Sequence, residues 1–299
     1  MYGLTRLVLA QSPFVELTED EYRGALHAKH CVWQALQIEE KFDLVLSNYE
    51  ELEQDILEVA LRASMYFEND WSAGVDTFQG TNRRLVNLLS TCRLYVDQIR
   101  HNLSLTYGAD SPVAEQIKTS CSHEYDSRLG YRAMEALRNY MQHRGMPIQR
   151  MSLESSWVAE APKVRKHLRH TVGLYLGVVQ LREDGHFKAK ILDELAALGD
   201  EHDLKALIRD YVAGLGCVHE TYRKAVASDL ERWDAVILDL FARYRAAGGD
   251  TLGMGLVRSN GRQYDDMNHV IEHPITRRRA LASRNHQTRH YPQAVVTNY

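Results

Sequence analysis

LVNLLSTCRLYVDQIRHNL, residues 85–103, decides what kind of fold this chain adopts. Its apolar residues Leu85, Leu88, Leu89, Cys92, Tyr95, Val96, Ile99 and Leu103 recur at intervals of three and four. On an α-helix they make one stripe; on a strand they would scatter over both faces. The predicted helix begins near Asn82 and stops near Gly108. The same period runs upstream from about Trp33 to Phe67, through Phe42, Val45, Tyr49, Leu52, Ile56, Val59 and Ala63. Before it, Thr18-Glu19-Asp20-Glu21 has the form of a capping box and opens a helix into the thirties. The stretch NDWSAGVDTFQGT (69–81) is a connector.

Downstream, Ser111-Pro112 starts another helix, with proline at the first helical position, where no amide hydrogen is needed. A further helix is predicted from about Tyr125 to Arg144. Gly145 is expected to cap it in the left-handed conformation, and Pro147 forbids continuation. HTVGLYLGVVQL (170–181) mixes β-branched and aromatic residues as a strand does, and helical patterns return at 187–197, 203–223 and 224–247, ended by Gly248-Gly249. The fold expected is mainly α: a helical domain over 1–150, a mixed, mainly helical region with a few short strands over 151–250, and an irregular, partly mobile tail over 251–299. No internal repeat is evident.

Composition narrows the function. The 299 residues carry 25% charged and 44% hydrophobic side chains and a net charge of −4, so no global positive field draws the chain onto a polyanion. Any such site must be local. No signal peptide is read at MYGLTRLVLAQSPF, and the apolar run VGLYLGVV (172–179) is far below the ~20 residues that span a bilayer. Cys31, Cys92, Cys121 and Cys217 are scattered, as reduced thiols in a cytoplasm would be. A cytoplasmic protein without membrane association is expected. Residues 35–70 hold ten Asp and Glu against Lys41 and Arg62, which reads as a solvated face and argues against phosphate contacts there.

The string LRNYMQHRGMPI (137–148) ends the helix predicted from Tyr125. Tyr131, Met134, Leu137 and Met141 share one apolar sector, with Arg138 at its edge; Asn139 and His143, four apart, stack on a neighbouring face. A charge at the rim of a core sector is costly unless paired. Arg138 therefore needs a carboxylate, for which Asp97 is a candidate, or a phosphate from a ligand. Arginine–histidine pairs at similar spacing recur at Arg23/His30, Arg165/His170, Arg262/His269, Arg279/His286 and Arg284/His290, so spacing alone identifies nothing. His143 could also serve merely as the polar end of a helix, where a cation favours the carbonyl terminus.

The helix from Asn82 to Gly108, that from Tyr125 to Arg144 and the string Arg-Asn-Tyr-Met-Gln-His resemble the HEPN superfamily over roughly residues 75–147. These all-helical domains occur in toxin–antitoxin systems, antiphage defence and RNA-targeting CRISPR nucleases. Their signature is arginine, usually a polar residue next, then histidine four to six positions on; Arg138, Asn139 and His143 match it. The resemblance implies metal-independent RNA cleavage with no cofactor. The RNA 2′-hydroxyl attacks the adjacent phosphorus, histidine takes or gives the proton, arginine's fork stabilises the phosphate oxygens, and Asn139 orients His143 or the phosphate. One motif supplies one histidine, whereas the reaction needs an acid and a base. HEPN proteins resemble a solution in which two subunits compose the site, so a homodimer is implied. An inhibitor or antitoxin protein is a further implied partner.

KVRKHLRH (163–170) is the best electrostatic footprint for RNA, through Lys163, Arg165, Lys166 and Arg169, with Arg277–Arg279 as a second stretch. The alternative reading of the chain is a non-catalytic helical module that binds a partner protein or a nucleotide. Metal chemistry is set aside. His269-Val-Ile-Glu272-His273 has the spacing of an inverted zinc protease motif, but no Asp or Glu follows Glu272; His27, His30 and Cys31 have no second half nearby. There is no phosphate-cradling glycine loop and no nucleophile elbow.

Overall fold

The computed structural model describes residues 1–8, 12–66, 71–158, 167–261 and 263–286. They form eight helices and seven strands, a mainly α fold as expected. The chain divides into two compact units. One comprises Met1–Lys41, Gln98–Ile117 and Thr221–His286; the other comprises Phe42–Asp97 and Lys118–Glu220.

The first unit begins with strands β1 (Tyr2–Arg6) and β2 (Val15–Leu17), then helix α1 (Glu19–Met65), which continues into the second unit. The capping box is present: the Thr18 amide donates to Glu21 Oε2 at 2.8 Å, and the Glu21 amide donates to Thr18 Oγ1 at 3.2 Å. The Thr18 amide, then Arg243, hold the Glu21 carboxyl below its ordinary value. The sequence pattern suggested two helices between 18 and 67, but α1 is unbroken. Nothing between Ala25 and Met65 is glycine or proline, so no residue forces a break.

Helix α2 (Trp71–Tyr107) also exceeds expectation, absorbing most of the connector placed at 69–81. Gly74 and Gly80 are carried inside it because Val75, Phe78 and Asn82 extend the helical stripe. Thr81, buried, also donates to Asp55 on α1 at 2.7 Å. Gly108 ends α2 at φ +89°, where a left-handed residue is needed.

Helices α3 (Pro112–Ser127) and α4 (Leu129–His143) are the two helices expected, with the junction at Arg128, a few residues after the predicted start near Tyr125. Between them Arg128 is extended (φ −118°, ψ 119°). Its guanidinium donates to Glu124 at 2.5 Å and to Asp210 at 2.8 Å, and the Gly130 amide donates to the other Asp210 oxygen at 3.0 Å. These charge-assisted bonds compensate for the lost helical turn.

Strands β3 (Arg150–Val158), β4 (His167–Gly177) and β5 (Glu201–Asp203) form an antiparallel sheet in the order β3-β4-β5, with Arg150 opposite Tyr175 and Trp157 opposite Leu168. Helices α5 (Val178–Asp184) and α6 (Ala189–Ala196) lie between β4 and β5 in sequence. Helix α7 (Leu204–Ala246) is continuous where two helices were read. Gly248, at φ +80°, closes it, with the Gly249 amide donating to the Tyr244 carbonyl.

The region expected to be an irregular tail is ordered between residues 254 and 284. Strand β6 (Met254–Ser259) pairs with β1 on one side and with β7 (Tyr264–His269) on the other, completing a sheet β2-β1-β6-β7, and helix α8 (His273–Arg284) follows. Met254 to Val257 are all buried, so the central strand shows no period-two alternation to be read from sequence. The part of that tail beyond His286 lies outside the described residues.

Each unit has its own core. In the second, Leu85, Leu88, Leu89, Cys92, Tyr95 and Val96 are all buried, and Phe42 stacks on His219 with centroids 3.9 Å apart. The first contains buried Leu4, Tyr22, Leu36, Ile99, Leu103, Trp233 and Leu256. There the Arg223 guanidinium grips buried Glu39 at 2.8 and 2.7 Å, and Arg278 and Arg279 converge on buried Asp234. The acidic run on α1 is thus only partly a solvated face. Glu39, Glu53 and Asp55 are internal ion-pair partners, while Glu40, Glu50, Glu51 and Glu58 are exposed.

Candidate functional site

Helix α4 presents Tyr131, Met134 and Leu137 to the core of the second unit and turns its polar residues to their own partners. Arg132 donates to Glu194 on α6 at 3.0 and 2.6 Å. Glu135 accepts from the Tyr211 hydroxyl at 2.6 Å; burial, foremost, raises that phenol well above its usual value. Gly214 on α7 lets Tyr131 approach closely, since a Cβ there would lie 2.8 Å from its ring.

Arg138 is different. It is half-buried, and among the described residues its buried Nε has no hydrogen-bond partner and its one polar contact is from Nη1 to Asn139 Oδ1 at 3.1 Å. Asp97, the carboxylate considered from sequence, is held by Arg93 at 2.9 Å instead. Among the described residues, the other half-buried arginines each have a carboxylate: Arg6, Arg84, Arg93, Arg128, Arg132, Arg209, Arg223, Arg243 and Arg278. Arg138 does not.

His143 is exposed in the last turn, and its ring bonds to no described residue. Gly145 does not adopt the left-handed cap expected of it. Arg144, extended in φ, donates to the Tyr140 carbonyl, and the chain leaves toward Pro147 without a reversal. Since α4 is regular through His143, five residues place it about 140° around the axis and about 7.5 Å along it from Arg138. The structure therefore brings Arg138 and Asn139 together and turns His143 away from Arg138, while Asn139 and His143, four apart on a regular helix, stay on one face.

Of the basic cluster, Arg169 lies exposed on β4, and Lys163, Arg165 and Lys166 fall outside the described residues. In the second basic stretch Arg278 and Arg279 are committed to Asp234. The two histidines of the His269–His273 string stand on a strand and at the start of a helix, not on one helical face. Among the described residues no group of three or more His, Cys, Asp or Glu could hold a metal, and no helix is long and apolar enough to cross a membrane.

A second feature of this unit was not anticipated. A groove of about 1220 Å³ is bounded by the end of α1, the start of α2 and residues 146–153. The sequence does not announce it, because Gly74 and Gly80 make 69–81 read as a connector. The helical spacing of Val75, Phe78 and Asn82 was the available signal.

Compared with models of known protein families, with curated proteins and with solved structures, the chain matches none.

Proposed function

We propose that this protein binds RNA at the C-terminal end of α4 and cleaves it without a metal when two copies pair there. The reading is carried by Arg138, a half-buried guanidinium without a carboxylate among the described residues, its fork otherwise engaged only by Asn139. A phosphate oxygen is the complementary acceptor. His143 and Arg144, exposed one turn on, add cationic capacity at the carbonyl end of the helix, which would otherwise repel an anion.

One copy cannot complete the chemistry, because Arg138 and His143 face apart and a single imidazole cannot be acid and base at once. Two copies contribute two. One His143 accepts the 2′-hydroxyl proton as the 2′-oxygen bonds to phosphorus. The other, protonated, gives its proton to the 5′-oxygen as the P–O5′ bond breaks. The products are a 2′,3′-cyclic phosphate and a free 5′-hydroxyl.

The test is fluorescein-labelled mixed-sequence RNA incubated with the full chain in excess chelator. Cleavage to cyclic-phosphate ends is expected, with none for 2′-deoxy substrate. Arg138→Ala should weaken binding about tenfold, as losing one charge-assisted phosphate contact does. His143→Ala should bind RNA normally and leave it intact. Uncleaved RNA with wild type, together with unchanged binding in Arg138→Ala, overturns the reading.

A further inference from the structure

The groove beside β3 has two properties that together specify an occupant. The first is how β3 borders it. Five consecutive residues, 149–153, line the cavity. Successive side chains of a strand point to opposite faces, so a cavity over one face would be lined by alternate residues only. Consecutive lining means that the groove runs along the edge of the strand. Among the described residues that edge is open: in the order β3-β4-β5, β3 pairs with β4 and with no other described strand, and every second residue directs its amide and carbonyl away from β4.

The second property is the opposite wall. Val59 and Ala63 of α1 and Val75 and Phe78 of α2 make it apolar, and Trp71, 85% exposed, stands at its border. The charged lining is Arg62, Arg83 and Arg150 against the one carboxylate of Asp76. Arg150 is engaged by Glu201 and lies over the Tyr175 ring, whereas Arg83 is exposed and pairs with no described residue.

We propose that this groove receives an extended peptide segment of another protein. The segment adds as a strand along β3, seats alternate apolar side chains against Phe78 and Val75, and offers an acidic side chain to Arg83. A strand occupies ~4.8 Å by ~10 Å by ~3.4 Å per residue, so the cavity takes about seven residues, room enough to run along Gln149 and the four residues of β3 that border it. A second copy of β3 does not fit this space. It would arrive with its own β4 attached, a two-stranded ribbon about twice as wide as the single strand that the cavity volume holds. An acyl chain would leave the strand's amides and carbonyls unanswered. No residue of α4 lines the groove, so the inference is independent of the RNA reading.

The test uses the full chain against a phage-displayed library of random peptides about seven residues long. Enriched sequences should alternate apolar and polar residues and contain Asp or Glu. Resynthesised with a fluorescein label, they should lose binding when alternate backbone nitrogens are methylated. Arg83→Glu, a surface change that leaves the fold intact, and Phe78→Glu, checked for folding by circular dichroism, should each weaken binding about tenfold or more. The proposal is overturned by a library that does not enrich, or by peptides indifferent to both methylation and Arg83→Glu. It also falls if the chain dimerises in gel filtration and Ser152→Pro returns it to a monomer, since a second copy would then hold the edge.

Discussion

Asn82 and Ile148 exchange two hydrogen bonds in the interior of the second unit: the Ile148 amide donates to Asn82 Oδ1 at 2.9 Å, and Asn82 Nδ2 donates back to the Ile148 carbonyl at 3.4 Å. Both residues are 1% exposed. A side-chain amide is the one group that offers a donor and an acceptor side by side, as a backbone residue of a neighbouring strand would. It fixes the start of β3 against α2, and so fixes the width of the groove.

Asn82→Ala should therefore cost about 1–3 kcal/mol, because it strands a buried amide and carbonyl together. Asn82→Asp should cost more, since it removes the donor and buries a charge. Urea denaturation of the three proteins checks both; an Asn82→Ala midpoint equal to wild type would show that the pair contributes nothing.

Arg138 and Arg128 should part company when each is replaced by methionine. Arg128 bridges Glu124 and Asp210, so its loss leaves Glu124 as an unpaired, nearly buried carboxylate and should cost about 3 kcal/mol. Arg138→Met removes a guanidinium with a buried, unbonded Nε and should leave stability within about 0.5 kcal/mol of wild type. Equal losses in the two variants would assign Arg138 to the fold and withdraw the observation on which the RNA-binding proposal rests.

Glu53 should make stability depend on pH in the acid range. Burial pushes its carboxyl up, but Arg209, bonded at 2.7 and 2.8 Å, outweighs this and holds it below the ordinary value. A folded-state value below the unfolded one means stability present above the ordinary carboxylate range and lost as pH falls through the depressed value. Between neutral pH and pH 3, wild type should lose more stability than Glu53→Gln. Parallel stability curves from thermal melts would contradict this.

Gly130→Ala should be strongly destabilising although alanine is the better helix former. An added Cβ would lie 2.5 Å from the Leu207 carbonyl oxygen and 2.7 Å from Asp210 Cβ. The backbone of α7 must then shift, at a cost of about 1–3 kcal/mol against the ~1 kcal/mol that propensity alone would return. A stabilised variant in calorimetry would show that α7 gives way freely.

The helical half of this fold was legible wherever one face of a helix meets the core and the other meets water. Leu85 to Leu103, the Thr18 capping box and the Ser111-Pro112 start are all found where the pattern puts them. What was not legible depends on partners distant in sequence. The break between α3 and α4 is expected near Tyr125, but its exact place at Arg128 depends on Asp210, and β6 requires strands on both sides. Of the site, residue types and their helix were readable, whereas the isolation of Arg138 was not, because whether a guanidinium has a partner is a property of space. The groove was hidden by its glycines: Gly74 and Gly80 read as loop until tertiary contacts hold them helical.

The pairing of β1 with β6 joins Tyr2 to Arg258, nearly the full span of the chain. A ribosome adding 5–20 residues per second finishes that interval in roughly 10 to 50 seconds. Throughout that time β1 has emerged with only the short β2 beside it, one flank bare. The nascent polypeptide thus carries an unsatisfied edge for most of its synthesis, and translation arrested before Met254 would release a product prone to aggregate and dependent on chaperones.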